Sequence, residues 1–118
     1  MAKDFVIIAG SDGLENAYKA FILATTGAAM DVDVTMFFTM SGLNLVKKGG
    51  AEKINMPNAP KLKELLEEAK ELGVNFVACS LAMEVMGVKE EELIEGVKPV
   101  GASAALNHAL KADLVLSF

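Results

Sequence analysis

DFVIIAGSDGLENAYKAFI, residues 4–22, decides the fold. Phe5 to Ala9 is an unbroken apolar run that enters a turn at Gly10-Ser11-Asp12-Gly13. Strict alternation would mark a strand wetted on one face. A continuous run marks a strand covered on both, as in a parallel sheet. After the turn, Leu14, Ala17, Tyr18, Phe21 and Ile22 recur at helical spacing. Ser11 or Asp12 is placed to cap that helix, and Gly27 weakens its C-terminal end.

The strand–helix unit repeats along the chain. Residues 31–38, DVDVTMFF, read as a second strand with Val32, Val34 and Met36 on one face. The segment TMSGLNLVKKGG (39–50) turns at Ser41-Gly42 and predicts a short helix from Asn44 to Lys48. Residues 49–60 form a loop rich in Gly, Pro and Asn. Asn58 is placed to cap the next helix and Pro60 to occupy its first turn. Leu62, Leu65, Leu66, Ala69 and Leu72 make its apolar stripe, and Gly73 ends it. VNFVAC (74–79) is the third strand, followed by a helix over Ser80–Met86 that closes at Gly87. Lys89 to Glu95 is a charged helical turn, and Val97–Val100 a short fourth strand. Gly101 opens a last helix through Ala104, Ala105, Leu106, Ala109 and Leu110, and DLVLSF (113–118) is the fifth strand.

This alternation predicts one α/β domain over residues 1–118, a parallel sheet with helices on both faces. Ligand sites in such folds lie beyond the C-terminal ends of the strands. The loops 10–13, 39–44 and 79–84 reach that edge. Their pocket-lining candidates are Gly10, Ser11, Thr39, Met40, Ser41, Gly42, Asn44, Ser80 and Met83.

Composition narrows the function. Of 118 residues, 53% are hydrophobic, which is rich for a small domain and predicts subunit contacts that hide the surplus. The longest uncharged stretch, Val34–Val46, is too short for a membrane span, which needs roughly 20 apolar residues. The N-terminus enters a strand without the layout of a signal peptide, so a cytoplasmic location is expected. The net charge is −5 and the chain has no arginine. Arginine supplies the planar fork that grips phosphates and guanine edges, so this balance argues against nucleic-acid binding.

The lone cysteine, Cys79, stands where the third strand becomes a helix. A lone intracellular Cys is either a small buried hydrophobe or a reactive thiol. The first free N–H groups of a helix carry partial positive charge that favours thiolate, the nucleophile of sulfur transfer. Glu84 pulls the other way. His108, the sole histidine, lies inside the last helix and reads as a packed or surface residue before it reads as a base. No His/Cys/carboxylate spacing resembles a metal site. Met83 and Met86 would suit a soft metal but read more simply as core filler. Gly10–Gly13 is a tight turn and matches no dinucleotide or P-loop fingerprint.

The run GVNFVACSLAMEVMGVKEEELIEGVKPVGASAAL (73–106) resembles the DsrE/DsrF-like sulfur-relay proteins, especially their DsrE2-like branch. VTMFFTMSGLNLVKK (34–48) and MPNAPKLKELLEEAKELGV (56–74) are similar to the same branch, and DFVIIAGSDGLENAYKAF fits less distinctively. The most specific part is the Cys-x-x-x-Met-x-x-Met-Gly stretch from Cys79 to Gly87. The resemblance implies a three-layer α/β/α sandwich with a five-stranded parallel sheet in the order 4-3-2-1-5. It implies a homo-oligomer, trimer or hexamer, and a persulfide carried on Cys79. The Thr39–Asn44 segment would then shape the pocket. Sulfur donor and acceptor proteins would be the partners, and exchange at sulfur calls for no metal or organic cofactor. Two other readings stay open. One is a non-catalytic oligomer subunit with Cys79 merely packed. The other is a small-anion or nucleotide-binding module at the 10–13 turn.

Overall fold

A computed structural model describes residues 2–118. Its five strands are β1 (Asp4–Ala9), β2 (Asp33–Phe38), β3 (Asn75–Cys79), β4 (Lys98–Val100) and β5 (Leu114–Ser117). Its helices are α1 (Leu14–Ala29), α2 (Leu62–Glu71), α3 (Ser80–Met86) and α4 (Ala102–Lys111). Short 3₁₀ segments cover Met40–Leu45, Ala51–Lys53 and Glu90–Glu92. The strands form one parallel sheet in the order β4-β3-β2-β1-β5, as the resemblance implies.

The order dictates the layers. From β1 to β4 the chain steps across the sheet in one direction, so right-handed crossovers put α1, α2 and the α3 connection on the same face. The step from β4 to β5 runs back across the whole sheet and puts α4 alone on the other face. Alternation sends Phe5, Ile7, Val34, Met36, Phe38 and Phe76 toward α1 and α2, and all are buried. Phe21 of α1 meets this layer in an aromatic cluster. Its ring centroid lies 6.1 Å from those of both Phe38 and Phe76, which are 5.5 Å apart. Tilted and edge-on contacts of this kind add to the burial of area itself.

The second face is thinner. No residue of α4 is buried, and Leu106 and Leu110, one turn apart, are 62% and 75% exposed. Beneath α4, Val6, Thr35, Phe37, Asn75, Val77 and Val100 line a cavity of about 170 Å³. His108 Nε2 reaches Asp4 Oδ2 at 2.9 Å and so ties α4 to the start of β1.

Three local expectations change. The N-cap position of α1 is Gly13, without a side-chain cap. Ser11 Oγ instead accepts the Gly13 N–H at 3.0 Å, and Asp12 turns to Asn44. α2 starts at Leu62, not after Asn58. Asn58 has φ of 63°, and Tyr18 Oη holds the loop by donating to the Pro60 carbonyl at 2.7 Å and accepting from Met56 N–H at 3.0 Å. The helix expected over Asn44–Lys48 is instead a 3₁₀ segment that starts four residues earlier, Met40–Leu45, after which Lys47 bridges to Leu93. Leu43, Leu45 and Val46 are all buried, which an α-helix with one inward stripe does not arrange.

Candidate functional site

β3 ends in NFVAC, and its apolar run stops where helical spacing begins. Cys79 is therefore both the last residue of β3 and the N-cap residue of α3, with φ −68° and ψ 115°. The helix closes after seven residues at Gly87, which adopts left-handed φ/ψ of 69° and 29°. Val88 N–H then returns to the Met83 carbonyl at 2.8 Å, the geometry of a glycine C-cap.

The position of Cys79 in the sheet is specific. Its register partner is Val100, the last residue of β4. The chain leaves β3 toward the α1 face and leaves β4 toward the α4 face. Cys79 thus stands at the point where successive connections diverge, the place at which parallel α/β sheets bind ligands. The first turn of α4 starts two residues after Val100. The thiol is 6% exposed, and its side chain makes no capping hydrogen bond.

The loops after β1 and β2 come together beside α3. Thr39 N–H donates to the Ala9 carbonyl at 3.0 Å, and Gly10 N–H to the Phe118 carbonyl at 2.9 Å. Asn44 Nδ2 donates to Asp12 Oδ2 at 2.9 Å. Gly42 lies against the end of β1 so closely that a Cβ there would sit 1.9 Å from the Ala9 oxygen. The Met40–Leu45 segment packs on α3 in turn. Met40 has φ of 48° and is 46% exposed, a left-handed conformation that a long side chain rarely adopts. Ser41 and Ser80 are half-buried and Met83 is buried. Ser11 serves its own turn, so it faces Gly13 rather than α3.

Most of the exposed surface of α3 is apolar: Leu81 and Val85 are 60% and 65% exposed, and Met86 is 42%. Glu84 is exposed on the same helix, where water screens its charge. His108 plays no part at the thiol. It binds Asp4, the first residue of β1, at the opposite edge of a parallel sheet from Cys79.

Sequence reasoning missed a cavity of about 340 Å³ lined by Asp12, Asn44, Lys47, Lys48, Gly50, Lys53 and Ile54. The signal that points to it is the clustering of Lys47, Lys48 and Lys53 in seven residues of an acidic chain.

Residues 1–118 match the model of the DsrE/DsrF-like family. An uncharacterized protein of Methanocaldococcus jannaschii, MJ0760, is 32% identical across 89% of this chain. The chain spans only 38% of that relative's length. The sulfur carrier protein DsrE2 of Allochromatium vinosum is 28% identical, with 97% of each chain covered. That alignment runs over 154 positions against 118 residues here, so the relative carries inserted sequence within the shared domain. Among solved structures, YchN of E. coli superposes with a TM-score of 0.81 at 22% identity over the whole of both chains.

Proposed function

The chain belongs to the DsrE/DsrF-like family, and from that premise we propose that it is a sulfur carrier that relays sulfane sulfur as a persulfide on Cys79. The observation that carries the reading is the placement of the one cysteine at the β3–α3 junction, opposite the end of β4, in a chain similar to a protein named as a sulfur carrier. In the reaction, the Cys79 thiolate attacks the outer sulfur of a donor persulfide R–S–SH. The new S–S bond forms on Cys79, the donor's S–S bond breaks, and R–S⁻ leaves with its electron pair. An acceptor thiolate then attacks the terminal sulfur, and Cys79 departs as thiolate. Electrons and sulfur balance in both halves, with no external redox partner.

At 6% exposure, Cys79 is reached only when its cover yields. The Met40–Leu45 segment, packed on α3 and left-handed at Met40, is the neighbouring element suited to give way. Leu81, Val85 and Met86 form an apolar rim on which a donor or acceptor protein docks. The test is intact mass after incubation with thiosulfate or polysulfide, with Cys79→Ser beside the parent.

The same proposal includes a homo-oligomer, trimer or hexamer. Its support is the 53% hydrophobic composition together with an α4 that has no fully buried residue and exposes Leu106 and Leu110. Light scattering at micromolar concentration is expected to give an assembly of three or six chains. Leu106→Glu with Leu110→Glu is expected to reduce its mass while leaving circular dichroism unchanged. A parent protein that is monomeric under these conditions contradicts the proposal.

A further inference from the structure

The loop after β2 carries charge that the thiol site does not use. Lys47, Lys48 and Lys53 line one cavity of about 340 Å³ together with Asp12 and Asn44. The chain as a whole has 16 carboxylates against 11 lysines. Yet among the described residues Lys48 and Lys53 have no carboxylate within ion-pair distance, and Lys47 has only Glu92 at 3.9 Å. Three lysines on the wall of one cavity concentrate positive charge there, which a multiply charged anion offsets. Asp12 contributes the opposing charge of the wall; Asn44 Nδ2 donates to its Oδ2 at 2.9 Å, and among the described residues it forms no ion pair with the three lysines.

The loop that carries Lys47 and Lys48 is anchored through its backbone. Lys48 N–H donates to the Glu92 carbonyl at 2.9 Å, Ile94 N–H to the Val46 carbonyl at 2.8 Å, and Gly50 N–H to the Lys47 carbonyl at 2.9 Å. The lysine stems therefore leave a fixed backbone rather than a free loop. A volume of about 340 Å³ is at the small end of ligand pockets, which run about 300–1,000 Å³. It suits a small molecule better than a protein tail.

We propose that this cavity binds a small tetrahedral oxyanion of charge two or more, through Lys47, Lys48 and Lys53. Two sources share that chemistry: an inorganic sulfur oxyanion such as thiosulfate, and the phosphate group of a metabolite. The site borders the 10–13 turn considered from sequence and shares its Asp12, but its cations come from residues 47–53. It stands whether or not Cys79 carries sulfur.

The experiment is a titration of ¹⁵N-labelled protein with thiosulfate, inorganic phosphate and pyrophosphate, each at constant ionic strength set with chloride. Saturable shifts are expected in the amides of Asn44, Lys47, Lys48, Gly50 and Lys53. Lys48→Gln with Lys53→Gln is expected to weaken binding at least ~tenfold, since each lost ammonium removes a contact with a doubly charged ligand. Lys98→Gln with Lys111→Gln changes the net charge equally at β4 and α4 and is expected to leave affinity unchanged. A preference for thiosulfate identifies a sulfur source, and a preference for phosphate or pyrophosphate a phosphorylated metabolite; either supports the site. Shifts that chloride reproduces, that do not saturate, or that both double variants weaken alike overturn it.

Discussion

Cys79→Ser is expected to abolish sulfur uptake completely. The parent, incubated with polysulfide and freed of excess reagent, gains sulfur by intact mass, and the serine variant gains none. The loss is total because the chain has a single cysteine, so no second thiol substitutes. The two side chains are close in size, and the thiol makes no capping hydrogen bond, so the variant should retain its fold. A hydroxyl does not form the persulfide, which isolates the chemistry from packing. The unfolded chain supplies the decisive control. A merely packed cysteine at 6% exposure reacts more slowly in the native protein than in denaturant. A carrier's cysteine takes up sulfane sulfur readily in the native state, because its cover opens to the donor. Sulfur uptake that occurs only in denaturant would return Cys79 to the core and leave the chain a packed subunit.

Why the cysteine could be placed from sequence, and much around it could not, follows from the range of the forces involved. Phe5–Ala9 and Val74–Cys79 declare themselves as strands because both faces of a central parallel strand are covered, which leaves an apolar run with no period. The end of that run at Cys79, followed by helical spacing, is local information. Gly73 and Gly87 likewise stop their helices through their own backbone freedom, at φ of 88° and 69°. The segment after Thr39 is different. Its 3₁₀ path is set by Gly42 against Ala9 and by the Lys47–Leu93 bridge, contacts between residues far apart in the chain. The start of α2 is displaced from Asn58 because Tyr18 of α1 captures the Pro60 carbonyl. Asn58 has the chemistry of a cap, and tertiary structure overrides it. The lysine cavity is hidden for the same reason: Lys47 and Lys48 are visible as a pair, but Asp12 and Asn44 join them only through the fold. The weak covering of the second face is a topological fact. It follows from the strand order, since one crossover alone runs on that side.

Gly42→Ala is expected to be strongly destabilising. The added Cβ would lie 1.9 Å from the Ala9 oxygen and 2.7 Å from its carbonyl carbon. Both are backbone atoms of β1, which pairs with β2 on one side and β5 on the other, so neither can swing aside as a flexible side chain would. The Met40–Leu45 segment must therefore move. Overpacking a filled interior costs about 1–3 kcal/mol, and an obstruction made of backbone belongs at the top, about 3 kcal/mol. For a domain of this size such a loss lowers Tm by roughly 10–15 °C. The displaced segment also covers α3, so the same variant is expected to open the way to Cys79. Below its Tm, Gly42→Ala should alkylate at Cys79 faster than the parent, even as it melts earlier. Thermal melting and thiol alkylation of the two proteins, measured side by side, test both halves. An unchanged Tm would mean that the loop accommodates the methyl without leaving β1. A lowered Tm with slower alkylation would mean that Cys79 is shielded by something other than the Met40–Leu45 segment, and the gating role assigned to that segment would fall.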